Sequence, residues 1–240
     1  MIEAVLLDLD GTLLDVDMDG FLERYFKKLA QHLAEFIDSA SFKKNLWAST
    51  EVMIRDTDPG KTNQEAFIEH FYTWVKHPHD VVWPLIDEFY ETIFPTLKGN
   101  IKPFPDVPYV MEKLRQSGCR LVLATNPIFP LTAILHRMKW AGLKPEDFCL
   151  ITSYETMHYC KPNPEYYLEV AKLIDVPPHK CLMVGNEYIF DIESAEKAGM
   201  HTFLVSETLQ ALDKEKKCGR LLDLIPFLSM LAAQMQEDRK

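Results

Sequence analysis

Five aspartates fall between positions 8 and 19, in two clusters of different spacing. Asp8 and Asp10 stand in DLDGT; Asp15, Asp17 and Asp19 stand in DVDMDG. Carboxylates this close repel one another unless a cation or a proton intervenes, so each cluster raises the question of a metal. The second has the more familiar spacing, since Asp15, Asp17, Asp19 and Gly20 match positions 1, 3, 5 and 6 of a calcium-binding loop. Its twelfth position, which must supply an acid, is Phe26, and an aromatic helical pattern starts directly after the glycine. A solvated acidic linker is expected there instead. The first cluster closes an apolar run, and two carboxylates two residues apart on one strand point the same way. A buried pair of that kind is costly without a cation.

Three further strand ends carry chemistry of a matching sort. One apolar run ends in Thr125 and Asn126. Another is followed by HYCKPNP, which places Lys161 before a helix opened by proline. A third ends in GNEYIFD, with Asn186, Glu187 and Asp191. In a parallel sheet the carboxyl ends of the strands converge on one crevice. That crevice would hold acids for a metal, hydroxyl and amide donors, and one lysine. The set suits a phosphate ester: a divalent cation and the lysine offset the anion, while Thr125 and backbone N–H groups bind its oxygens.

The elements that must position these residues are legible in the apolar pattern. Residues 4–10, 120–125, 149–152, 180–185 and 201–205 are short continuous apolar runs, as expected of buried parallel strands. Helical periodicity separates the later ones, over 106–118, 129–142, 163–175 and 191–199, with Asn163 as N-cap ahead of Pro164. Alternating strands and helices predict a doubly wound α/β sheet. Residues 20–95 break the rhythm with about four helical patterns and no strand-like run, so a helical module inserted after the first strand is expected. Gly20–Ile37, 41–54, 63–76 and 80–94 are its segments, and Thr12 is expected to bond the backbone of the turn leading there. A last helical stretch, 221–235, is interrupted by Pro226 and is expected to pack on the core, with a self-association surface as the alternative.

Composition excludes several function classes. The chain has 240 residues with 26 basic and 36 acidic side chains, a net charge of -10. Binding of nucleic acid or anionic membrane without sequence preference needs a basic surface, so neither partner is expected. No apolar stretch approaches the ~18 residues of a membrane span. The cysteines, Cys119, Cys149, Cys160, Cys181 and Cys218, are odd in number and lack C-x-x-C spacing, against a disulfide framework or zinc knuckle. Cys119, Cys149 and Cys181 lie in apolar runs and are expected to behave as small buried hydrophobes. A cytoplasmic protein, monomeric or weakly dimeric, is the expectation.

The four motifs DLDGT, ATN, KPNP and GNxxxxD, over about residues 4–14 and 104–206, resemble the signature of the haloacid dehalogenase superfamily. The helical insertion resembles that superfamily's C1-type cap. The resemblance implies a catalytic core of residues 1–14 and 104–206, a cap of 15–98, and a C-terminal extension of 207–240. It implies Asp8 as nucleophile, Asp10 as general acid and base, and Thr125, Asn126 and Lys161 as phosphate-binding residues. Mg²⁺ would be held by Asp8, the Asp10 backbone carbonyl, Asn186 and Asp191. The implied activity is Mg²⁺-dependent hydrolysis of a small phosphorylated metabolite through an aspartyl-phosphate. A phosphomutase of the same build and a weakly active regulator are the alternatives. Asp10 separates phosphatases from the dehalogenases of the superfamily, which lack an aspartate two residues after the nucleophile. One departure stands out: an acid is usual where this chain has Asn186, which predicts weaker metal affinity, with Glu187 or Asp191 available to compensate. Some cap aromatics are expected to face the crevice, although Trp47, Trp74 and Trp83 read mainly as core.

Overall fold

The computed structural model describes residues 1–206, 212–213 and 217–237, without the side chains of residues 39 and 40. All five apolar runs become parallel strands of one sheet. They are β1 (Ala4–Leu7), β4 (Arg120–Leu123), β5 (Leu150–Ile151), β6 (Cys181–Gly185) and β7 (His201–Val205), joined at the edge by β8 (Cys218–Gly219). The order is β5-β4-β1-β6-β7-β8, with β1 central between β4 and β6. Two strands of two residues each, β2 (Leu14–Asp15) and β3 (Lys102–Pro103), pair antiparallel where the chain leaves and re-enters the sheet.

Both faces of the sheet are covered, which explains why its strands are continuously apolar. Val5 and Leu7 belong to one apolar cluster, Ala4 and Leu6 to the other. The second is closed by α7 (Pro164–Leu173) and α8 (Ser194–Lys197), through Tyr166, Tyr167, Val170 and Ala195. The first is closed by α5 (Val107–Ser117), α6 (Leu131–Trp140) and α9 (Leu224–Glu237). Asn163 caps α7 as its sequence predicts, accepting from the Glu165 N–H.

The inserted helices are α1 (Met18–His32), α2 (Ser39–Arg55), α3 (Asn63–Trp74) and α4 (His79–Glu88), continued by a wide turn over 89–93 and a tight one over 94–98. Their aromatic side chains join the apolar cluster on the α6 side of the sheet without a break. Phe94 stacks on Trp140 of α6, with ring centroids 5.6 Å apart. The start of α3 is tied to the sheet's loops: Asn63 N–H donates to Met157 and Gln64 N–H to Tyr154, at 2.7 and 2.8 Å.

Several expectations change in detail. The DVDMDG segment is more than a linker: Asp15 lies in β2 beside Lys102, and Asp17 is the N-cap of α1, accepting from Gly20 N–H at 3.2 Å. Pro226 does not interrupt the last helix, because it falls within the first turn of α9, where its missing N–H has no helical partner to lose. Leu224, Phe227 and Leu231 are buried along that helix, while residues 207–211, 214–216 and 238–240 lie outside the described residues. Cys149 is exposed and Cys119 half-buried; only Cys181 of the three is buried, since the other two stand at the strand entrances. Among the described residues no helix is long and apolar enough to cross a membrane.

Candidate active site

The site is built at the carboxyl edge of the sheet, where the order reverses on either side of β1. Asp8 directly follows β1 and is still fixed by the ladder, its N–H donating to Val184 of β6 at 2.9 Å. Gly11 then turns the chain with φ of +77°, and a Cβ there would stand 2.9 Å from the Asn186 Cγ. Glycine is therefore required twice over at this position. The four strand-end groups do converge. A crevice of about 420 Å³ is lined by Asp8 and Asp10 from β1, Thr125 and Asn126 from β4, Lys161, and the Asn186–Asp191 segment after β6.

Lys161 is the hub. Only 1% exposed, its Nζ donates to Asp8 Oδ1 at 2.9 Å and to Asp191 Oδ1 at 2.6 Å. Burial alone would discharge the lysine, but the charges of Asp191 and Asp8 raise its pKa well above the ordinary value. Burial pushes the Asp8 carboxyl up; Lys161 pulls it down and Asp191 raises it again, leaving it at about 6. Asp191 is held by two donors, Lys161 and the Glu187 N–H at 3.0 Å. Its fit depends on Gly185, where a Cβ would stand 2.6 Å from the Asp191 Cβ.

Thr12 and the aromatics of the insertion depart from the sequence expectation, and Asn126 has a contact that the sequence did not suggest. The Thr12 hydroxyl does not bond the turn backbone; it lies 3.3 Å from Asp8 Oδ2 and 3.0 Å from Asn186 Oδ1. Asn126 uses its side chain, whose Oδ1 accepts from the Lys161 N–H at 3.1 Å and so fixes the lysine's loop. None of the inserted helices' aromatics lines the crevice. That region contributes only Val16 and Met18, while the aromatic ring in the lining is Phe190, from the core. Tyr25, Phe71, Trp83 and Tyr90 instead fill the insertion's interior around a small apolar cavity of about 50 Å³, while Trp74 is half-buried and Trp47, expected in the core, is 44% exposed at the cavity's edge.

A buried cation beside the site escaped sequence reading altogether. Arg137, on α6 and 3% exposed, forms an ion pair with Asp10 and lies over the Phe129 ring, 5.2 Å from its centroid. Within LHRMKW it reads as one more basic residue in a helix, and only its burial sets it apart.

The donor set bears on a metal. Asp8 Oδ2 and Asn186 Oδ1 share the Thr12 hydroxyl, so two oxygen donors meet at one point of the crevice. An all-oxygen set suits a hard divalent cation, and Mg²⁺ is commonly held by one or two carboxylates plus waters and substrate oxygens. Among the described residues no group of three or more His, Cys, Asp and Glu side chains forms a metal cage.

A carboxylate salt-bridged to a buried lysine thus stands at the switch point of a doubly wound parallel sheet, where open α/β folds place their ligand sites. The chain belongs to the haloacid dehalogenase-like hydrolases, whose family model matches residues 2–199. It is 28% identical over 204 residues to a phosphoglycolate phosphatase from Aquifex aeolicus (strain VF5), covering 84% of this chain and 83% of that protein. It is 25% identical over 234 residues to the pyrophosphatase PpaX of Bacillus cereus (strain ATCC 10987 / NRS 248), covering 95% and 97%. The fold is shared with a 2-haloacid dehalogenase from Pseudomonas syringae pv. Tomato DC3000, with a TM-score of 0.64 at 20% identity over 96% of this chain and 100% of that one.

Proposed function

We propose that this hydrolase cleaves small phosphate monoesters, with Asp8 as nucleophile and Mg²⁺ as cofactor. The observation that carries the reading is the buried Asp8–Lys161–Asp191 chain in a crevice that also holds Thr125 and Asp10. The curated relatives named above, a phosphoglycolate phosphatase and a pyrophosphatase, point the same way.

In this reading an Asp8 oxygen attacks phosphorus, forming an acyl phosphate as the ester oxygen departs with a proton from Asp10. Water then attacks phosphorus, Asp10 takes its proton, and phosphate leaves with Asp8 restored. Lys161 steadies the charge on Asp8 and on the transferring oxygens, while Thr125 hydrogen-bonds the phosphoryl group. Asn126 acts by fixing the Lys161 loop, with its own backbone N–H available to the phosphate. Arg137 is ion-paired with Asp10, so the acid role requires Asp10 to leave the guanidinium and take a proton from solvent before it donates to the ester oxygen.

Asp8, the Asp10 carbonyl, Asn186 and Asp191 would hold the metal. When bound, Mg²⁺ shields the anionic nucleophile from the anionic ester; at ~4 Å and an effective dielectric of ~20, one such repulsion amounts to about 4 kcal/mol. We place the protein in the cytoplasm as a monomer or weak dimer, with the inserted helices, residues 15–98, serving as a cap over the core of residues 1–14 and 104–206. The test is phosphate release from p-nitrophenyl phosphate with Mg²⁺ and with EDTA. Release that needs Mg²⁺ and vanishes in Asp8→Asn supports the reading; no release by the folded protein from this ester or a panel of metabolite esters overturns it.

A further inference from the structure

The walls of the crevice divide by chemistry. Asp8, Asp10, Glu187 and Asp191 line it with four carboxylates against one ammonium, Lys161, which already donates to two of them. The buried Arg137 behind Asp10 is engaged by that carboxylate and does not line the crevice. Even with a divalent cation counted, the phosphoryl group itself uses the available positive charge. Among the described residues no cationic side chain besides Lys161 lines the crevice, so a second anionic group on the substrate would find no counter-charge there. The apolar part of the lining is Val16, Met18 and the ring of Phe190.

Phe190 is 38% exposed, and its neighbours Tyr188 and Ile189 are 58% and 57% exposed. Three large apolar side chains in a row left in water are unusual unless something covers them. Their backbone is held in place, since the Tyr167 hydroxyl donates to the Phe190 carbonyl at 2.6 Å and Tyr167 is itself buried. The wide helical turn over 188–193 presents Phe190 to the crevice beside Asp191.

We infer that the substrate's alcohol portion is uncharged and apolar, and that Phe190, with Val16 and Met18, selects it. The inference rests on the phosphatase reading given above, and deepens it. It runs against the substrates in the relatives' names: an ester with a carboxylate on its alcohol portion, or inorganic pyrophosphate, would bring a second anion to a crevice with no further cation to receive it. Burying an unpaired carboxylate there is disfavoured, whereas an alkyl chain covers exposed apolar surface.

A matched pair of esters tests this with leaving groups of equal chemistry: n-hexyl phosphate and the phosphate ester of 6-hydroxyhexanoate, assayed with Mg²⁺ beside phosphoglycolate and pyrophosphate. The expected result is a kcat/KM at least about tenfold higher for hexyl phosphate than for its carboxylate twin, and above that for the other two. Discrimination of about tenfold or more is the scale on which hydrophobic pockets act. Phe190→Ala should raise KM for hexyl phosphate about fivefold or more with little change for the carboxylate ester. Phe190→Lys, at an exposed position that tolerates the change, should shrink the preference at least tenfold. An equal or greater kcat/KM for the carboxylate ester, or a preference unmoved by both variants, overturns the inference and leaves the phosphatase reading standing. Absence of Asp8-dependent release from all four compounds and also from p-nitrophenyl phosphate and the metabolite panel removes both.

Discussion

Asp8 shows how the site trades stability for chemistry. Burial holds its pKa near 6, above the 3.8 of an exposed aspartate, so the folded protein binds this proton more tightly than the unfolded chain does. The stability tied to that proton is present below about pH 4 and is lost as pH rises through 6. Removing the charge should therefore help the metal-free protein: Asp8→Asn is expected to abolish turnover and to raise Tm at pH 7.5 by roughly 3–6 °C. The gain should shrink between pH 6 and pH 4, and a loss of Tm at pH 7.5 would contradict the account. Asn186 is the second residue to test. Its Oδ1 meets Asp8 Oδ2 at the Thr12 hydroxyl, so an aspartate there keeps the hydrogen bond and adds a charge to the donor set. Asn186→Asp should lower the Mg²⁺ concentration for half-maximal activity ~3- to 10-fold, because ligand charge sets affinity in such sites; an unchanged Mg²⁺ titration would show that Asn186 lies outside the donor set. Arg137 makes the opposite case, since Arg137→Met leaves Asp10 without its partner in a largely enclosed place. Breaking such a pair costs about 3 kcal/mol, readable in a denaturant melt.

At the scale of elements, strand ends do the positioning, and small residues decide how closely they approach. Gly185 ends β6 directly beneath Asp191, so Gly185→Ala forces the Asp191 carboxylate away from Lys161. Activity should fall about 100-fold, the scale of an ångström's misplacement of a catalytic group, with the fold retained by circular dichroism; near-wild-type turnover would show that Asp191 has room to shift. These placements also show what sequence reveals. The five buried strands were legible because both faces of the sheet are covered, which leaves continuous apolar runs. The convergence of Asp8, Thr125, Lys161 and Asp191 followed from the parallel order alone. What stayed hidden depends on contacts between segments distant in sequence. The β2–β3 pair is two residues long on each side, too short for any periodicity. Thr12 reaches Asn186 across 174 positions, and the Arg137–Asp10 pair spans two elements. Phe190 was hidden for a related reason: within YIFD it reads as an ordinary apolar residue, and only the turn over 188–193 aims it at the crevice.

The whole molecule raises the question of whether the inserted helices can come loose from the sheet. A module on two linkers would do so readily if its interior were separate. Here the apolar cluster runs unbroken from Val5 and Leu7 through Trp140 of α6 to Phe21, Tyr25 and Phe94 of the insertion. The Asn63 side chain, 1% exposed, adds a polar tie, its Nδ2 donating to the Pro127 and Tyr159 carbonyls at 3.3 Å each, beside the backbone bonds at the start of α3. Freeing the insertion would expose these aromatic faces and leave buried carbonyls unpaired, each costing about 1–3 kcal/mol. Two units that share a core this way melt together, as small cooperative folds do. Urea unfolding should therefore show one transition, with tryptophan fluorescence, three of whose four reporters (Trp47, Trp74 and Trp83) sit in the insertion, coinciding with far-ultraviolet circular dichroism, which follows the whole chain. A fluorescence midpoint at clearly lower urea would show that the insertion unfolds first and that its shared core contributes little. Asn63→Ala sharpens the test: it should lower both midpoints together, whereas separation of the two signals in the variant alone would make Asn63 the tie on which the coupling depends.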